Sequence, residues 1–294
     1  MSAWHVSHGA QRVCAVLSLS LALLLALLLA ASVGEAQQPP LKGYPASANV
    51  TMRIYVPAGR IRVGVWNRDS IHVSGTIGAS AVMFGGGNRT HVKLGVEPKI
   101  TGDPTLPAVD WVVTIPRGAR VWIKMIDGAV SVTGTTGELE MYNVRGSVDA
   151  QNVSGVTSIE SIDAPVTVTG ARGDVRVRGG AGAVRLDDVR GTLSVATVSG
   201  SVTLSQLLAS GRVETIGGSI GLTTGSLAKE AIELQTHSGN IALTLDAART
   251  PRLLLSSRAG PILGDKLTGA DAFGVIDARS FKGRIMLRTM APKK

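Results

Sequence analysis

The chain of 294 residues carries 30 Lys and Arg against 21 Asp and Glu, a formal charge of +9, with 3% aromatics and a single cysteine. One cysteine excludes a disulfide framework, so stability must come from packing alone. Scarce aromatics argue against nucleic acid as the anion that this excess of base would meet.

Residues 1–36 read as an export signal. A polar lead with Arg12 precedes the apolar run Cys14–Val33, and the small residues Gly34 and Ala36 follow. This is the plan of a signal peptide cleaved after Ala36. The run is also long enough to span a bilayer, so an N-terminal anchor of residues 13–33 is the alternative, and any membrane contact is expected there alone. Residues 1–36 hold one base, Arg12, and one acid, Glu35, so the remainder keeps a charge of +9. Residues 37–47, "QQPPLKGYPAS", predict a linker.

Residues 48–118 predict irregular β coils and a cap. Val50, Met52, Ile54 and Val56 alternate as a strand. "GRIRV" (59–63), "SIHVSG" (70–75), "HVKLGV" (91–96) and "WVVTIP" (111–116) continue the pattern, and "FGGGNRT" (84–90) predicts a loop.

A nine-residue beat begins at Ala119 and runs through Gly128, Gly137, Gly146, Gly155, Ala164, Gly173, Gly182, Gly191 and Gly200. Two and four places after each lie apolar residues, such as Val175 and Val177, or Val184 and Leu186, with polar residues between. That alternation is a strand with one buried face. Position eight (Val144, Ile162, Val189, Leu207) predicts a third inward residue at the corner. Fixed short-period repetition is the mark of a solenoid.

Gly200 and Gly218 are two beats apart, and Gly239, Gly260 and Gly283 open similar strands at 21- to 23-residue spacing. The prediction is therefore all-β: a parallel β-solenoid over 119–288, of ~18-residue coils made of two beats. Coils lengthen toward the C-terminus, stack in chain order and have two or three sides. "GSLAKEAIELQ" (225–235) predicts a helical turn or an inserted loop, and 289–294 a basic tail.

The segments "AGRIRVGVWNRDSIHVSG" (58–75), "VVTIPRGARVWIKMIDGAVSVTG" (112–134) and the "VSGSVTL"-type repeats resemble the bacterial candidate-adhesin domain of unknown function built from β-strand repeats. The resemblance covers nearly all of 48–288. It implies an exported or envelope-associated β-solenoid and brings no catalytic residues. The basic balance and the long last coils depart from it.

Calcium-binding rolls need an Asp at position six of each repeat, and only Asp187 of ten such positions supplies one. "GGSIG" (217–221) matches a nucleophile elbow, but Ser219 is followed by a strand rather than a helix. His72, His91 and His237 are scattered. Stepping by eighteen, Asp127 meets Arg145 and then Asp163, Glu160 meets Arg178, Asp149 meets Thr167, and Asp174 meets Thr192. The acids fall on bases or hydroxyls rather than on one another, against a glycoside-cleaving pair.

No catalytic, metal or cofactor residues are expected. Arg172 and Arg190 should stack as like charges, with Arg176 and Arg185 nearby. Either Asp174 and Asp188 neutralise them or the four arginines form an anion site. The expected function is a non-enzymatic, adhesin-like scaffold, exported to the periplasm or cell surface. Its partners would be anionic envelope polysaccharide, lipid or another surface protein. A carbohydrate-active enzyme and an envelope-assembly or signalling partner are the alternatives.

Overall fold

The structure, a computed structural model, describes residues 40–225, 231–246, 251–265 and 274–290. The signal or anchor of 1–36 and the end of the basic tail lie outside the described residues. The chain divides into Met1–Pro39 and Pro40–Lys294, and every described strand belongs to the second unit. Among the described residues no helix is long and apolar enough to cross a membrane.

Among the described residues all regular structure is strand. The N-terminal elements are β1 (Pro40–Pro45), β2 (Thr51–Trp66), β3 (Ser70–Ile77), β4 (Ala81–Gly87), β5 (His91–Pro98) and β6 (Ala108–Pro116). The repeats supply β7 (Arg120–Thr133), β8 (Glu138–Gln151), β9 (Ser154–Ser161), β10 (Val166–Thr169), β11 (Arg172–Gly179), β12 (Val184–Asp187), β13 (Arg190–Thr197), β14 (Val202–Ser205), β15 (Leu208–Thr215) and β16 (Ile220–Thr224). The last coils are β17 (Ala231–Thr236), β18 (Ile241–Leu245), β19 (Arg252–Ser257), β20 (Ile262–Gly264), β21 (Val275–Ser280) and β22 (Ile285–Thr289). Strand β1 lies inside the stretch expected to be a linker, and it pairs antiparallel with β3. Phe84–Gly87, expected in a loop, belong to β4, which pairs antiparallel with β5.

Two parallel stacks share one core. The first runs β5, the front half of β2, β7 and β8, then β9, β11, β13, β15 and β17. The second runs β6, the rear half of β2, β7 and β8, then β10, β12, β14, β16 and β18. Val148, Val166, Val184, Val202 and Ile220 are successive register partners, so the coil is eighteen residues, as the repeat predicts. Val175, Val177, Val184 and Leu186 are buried in the common core.

The glycine beat exists because the coils touch backbone to backbone. A Cβ on Gly200 would lie 2.1 Å from the Gly182 carbonyl oxygen, and one on Gly191 would lie 2.3 Å from that of Gly173. Real Cβ atoms do not approach so closely.

The corners differ from the expectation in one respect. Position eight points inward at one corner only, where Val153, Val189 and Leu207 are buried. There the preceding residue is left-handed (Asn152 φ 50, Asp188 φ 47, Gln206 φ 49), which turns the chain by one place. At the other corner position eight faces solvent, with Val198 at 55% and Ile216 at 59% exposure. The buried hydroxyls one place earlier turn inward instead. Thr215 Oγ1 accepts from Gly218 N at 2.9 Å, and Thr197 Oγ1 donates to Gly200 O at 2.8 Å.

The last coils do not stack in chain order. Strands β17 and β18 pair with β21 and β22, and β19 and β20 lie beyond them. A Cβ on Gly283 would meet the Gly239 oxygen, and one on Gly260 the Gly283 oxygen. A stack needs only matching inward positions, which "GPILG" and "GRIML" both offer, so the repeat cannot rank them. The outermost coil ends the stack with Ile262 47% exposed.

Candidate functional site

The corner geometry decides the arginine column. Arg172 and Arg190 are register partners on the first stack, as the eighteen-residue step predicts. Asp188 occupies the left-handed corner position beside them. Its carboxylate lies 3.1 Å from Arg190 Nε and 3.9 Å from Arg172 Nη2. Asp174 accepts from the Thr192 hydroxyl, and among the described residues no ion pair joins it to either arginine. Only one of the two expected acids therefore neutralises the column. The groups are about half exposed, where such pairs contribute about 0–1 kcal/mol. Arg176 lies on the same sheet between Ser158 and Ser194. Arg185 does not join them, because β12 places it on the second stack between Thr167 and Thr203.

Other expected contacts divide the same way. Arg145 pairs with Asp127 at 3.3 Å, whereas Asp163 contributes its backbone N–H to Val144 O. Arg178 and Glu160 are register neighbours. The exchanged coil order adds a pairing that chain-order stepping misses: Glu233 falls beside Asp277. Each of these acids faces an arginine, Arg212 at 3.8 Å from Glu233 and Arg279 on Asp277. The Arg279 guanidinium pKa is raised, first by its hydrogen bond to Asp277 and then by that residue's charge. Ser219 precedes β16, so "GGSIG" forms no elbow. Among the described residues no cluster of His, Cys, Asp and Glu could hold a metal ion.

Two surface features were not foreseen. One is a groove of about 810 Å³ along the outward corner, floored by Val198, Ile216, His237 and Phe281. The His237 and Phe281 rings stack at 4.9 Å, and Arg258 covers the Phe281 ring at 5.1 Å. Each ring thus covers one face of the other, and Arg258 lies over the Phe281 ring.

The second is on the first stack near its N-terminal end, where Tyr55, Trp122 and Tyr142 project outward from β2, β7 and β8. Tyr55 and Trp122 lie with ring centroids 4.8 Å apart at 54°. Register pairs Arg53 with Trp122, Trp122 with Glu140, and Lys124 with both Tyr55 and Tyr142. Thr51, Arg53, Tyr55, His91, Arg120, Trp122, Glu138 and Glu140 line a depression of about 540 Å³. The available signal was an aromatic at an outward position of the beat, where hydroxyls and charges prevail.

Residues 42–263 match the Toastrack DUF4097 domain, which covers most of the chain. The chain belongs to the Toastrack DUF4097 family. Among solved structures, this Toastrack protein is similar to a candidate cell-adhesion protein of Clostridium sporogenes, at 8% identity and a TM-score of 0.22, over 86% of this chain and all of that one. It is also similar to a candidate adhesin of Bacteroides fragilis, at 11% identity and a TM-score of 0.37, over 85% of this chain and 95% of that one. No curated protein matches the Toastrack sequence.

Proposed function

We propose that this Toastrack protein is an exported, non-enzymatic, adhesin-like scaffold that holds anionic polymers of the cell envelope or a neighbouring surface. The observation that supports this reading is the parallel register. It sets outward side chains in straight rows, with neighbouring strands about 4.8 Å apart, as in Ser158, Arg176 and Ser194. A rigid sheet of repeated donors suits an extended polymer, because each coil can offer the same contact without ordering a loop. Arg172, Arg176 and Arg190 lie together on that sheet, within a chain of charge +9. The segment 1–36 supports export to the periplasm or cell surface.

The test is co-sedimentation of the full chain with isolated envelope polysaccharide and with lipid vesicles, at low and high salt. Salt-sensitive retention, weakened in the Arg172→Ala, Arg190→Ala double variant with unchanged melting, is the expected result. Equal retention of variant and parent, or none by either, refutes it.

A further inference from the structure

We infer that the aromatic depression on β2, β7 and β8 is a saccharide-binding site, and that its ligand is a pyranose glycan carrying a carboxylate. This rests on the reading of the surface as polymer-binding, and it assigns that surface a chemical class and a place.

The outward aromatics have no core to fill. The chain has only 4 Trp, 3 Tyr and 3 Phe. Trp111 and Tyr44 are in the core, whereas Tyr55, Trp122 and Tyr142 project from three adjacent strands between buried neighbours such as Ile54, Val121 and Met141. Cross-strand contact between rings is one contribution to the sheet. It does not account for the charged groups around them.

Arg53 stands on the β2 side of Trp122 and Glu138 and Glu140 on the β8 side, while Arg120 lies on β7 itself, two residues before Trp122. Among the described residues no ion pair joins any of these four side chains to a partner, although both signs line one depression. Opposite charges held near one another but apart suit a ligand that needs both.

A carboxylated pyranose meets each requirement. Its axial C–H face is apolar and slightly positive, and packs on the negative face of an indole. Its ring hydroxyls donate to carboxylates such as Glu138 and Glu140. Its carboxylate takes a guanidinium in a paired contact, which Arg53 or Arg120 can supply. The volume of about 540 Å³ is that of a small-ligand site. An organic cation would face Arg53, Arg120 and His91. An acyl chain would bury the charges of the rim. A nucleic acid would stack on the rings, but its phosphates would lie against the two glutamates.

The probe is an oligogalacturonate, titrated into the full chain while tryptophan fluorescence is followed. A short single-stranded DNA and anionic phospholipid vesicles serve as comparisons. Saturable binding is expected for the saccharide. It should weaken at least about tenfold in Trp122→Ala and in Arg53→Ala, and be retained in Trp122→Phe and in the Arg172→Ala, Arg190→Ala variant. Isothermal titration reads the variants that lack the indole, and thermal melts establish that each is folded.

No saturable saccharide binding, undiminished binding by folded Trp122→Ala, or tighter binding of DNA or vesicles overturns the assignment. If the parent chain still sediments with envelope polysaccharide in those cases, the scaffold reading survives without this site. If oligogalacturonate binds through Trp122 while envelope material is ignored, the site stands and the scaffold reading falls.

Discussion

Replacing Gly191 by alanine tests whether the glycine beat is a steric requirement of coil stacking. Gly191 has φ of +120°, a conformation costing an L residue about 1–3 kcal/mol. The added Cβ would lie 2.3 Å from Gly173 O, 3.0 Å from its carbonyl carbon and 3.1 Å from its Cα. All three are backbone atoms of the next coil, so no side chain can swing away. Relief requires parting β11 from β13, which weakens bonds such as Arg190 N to Ala171 O at 2.9 Å. One or two such bonds contribute about 1 kcal/mol each. The sum is about 2–5 kcal/mol, or about 4–20 °C in Tm for a unit of this size. Gly221 is the internal control, since it lies in β16 and a Cβ there has nothing within 4 Å. Gly221→Ala should be neutral or gain about 0.5–1 kcal/mol. Thermal melts followed by far-UV circular dichroism compare the two. If Gly191→Ala melts within about 2 °C of the parent, the account of the beat is wrong.

Val177 is fully buried between Ile159 and Val195, so Val177→Asp should cost several kcal/mol in denaturant unfolding. Burial raises that carboxyl's pKa in the folded state, so the loss should shrink as pH falls from the raised pKa toward the ordinary carboxylate value, and stay level below it. Thr215→Val keeps the side-chain shape but orphans the buried Gly218 N–H, and should lower stability by about 1–3 kcal/mol in the same assay. Hydrogen exchange should protect β21 and β22, which have coils on both sides, more than β19 and β20, although the latter come earlier in the chain. Equal protection, or the reverse order, would restore stacking in chain order.

Much of the fold was legible because one coil is a local object. A strand needs alternating inward residues, and a backbone contact needs a glycine, so Val166, Val184 and Val202 announce both register and the eighteen-residue step. The same step brings Arg172 beside Arg190. It does not bring Arg185 to them, because a coil turns between two sheets and the sequence spacing of thirteen residues hides which sheet is meant. The corner parity was equally hidden. Val189 and Val198 occupy the same repeat position, yet one is buried and the other exposed. The difference lies in the left-handed backbone of Asp188, which no pattern of apolar residues records.

The aromatic depression depends on a contact that no repeat implies. Arg53 and Tyr55 meet Trp122 and Lys124 because β2 pairs in parallel with β7, although β3 to β6 separate the two in the chain. The sequence by itself determined the strand period, the coil length and the inward residues, since these follow from sterics within one or two turns of chain. Only the tertiary structure decided the order of the last coils and which outward side chains share a face. Identical beats are interchangeable as stacking partners, and their neighbours are chosen by the closure of the whole stack.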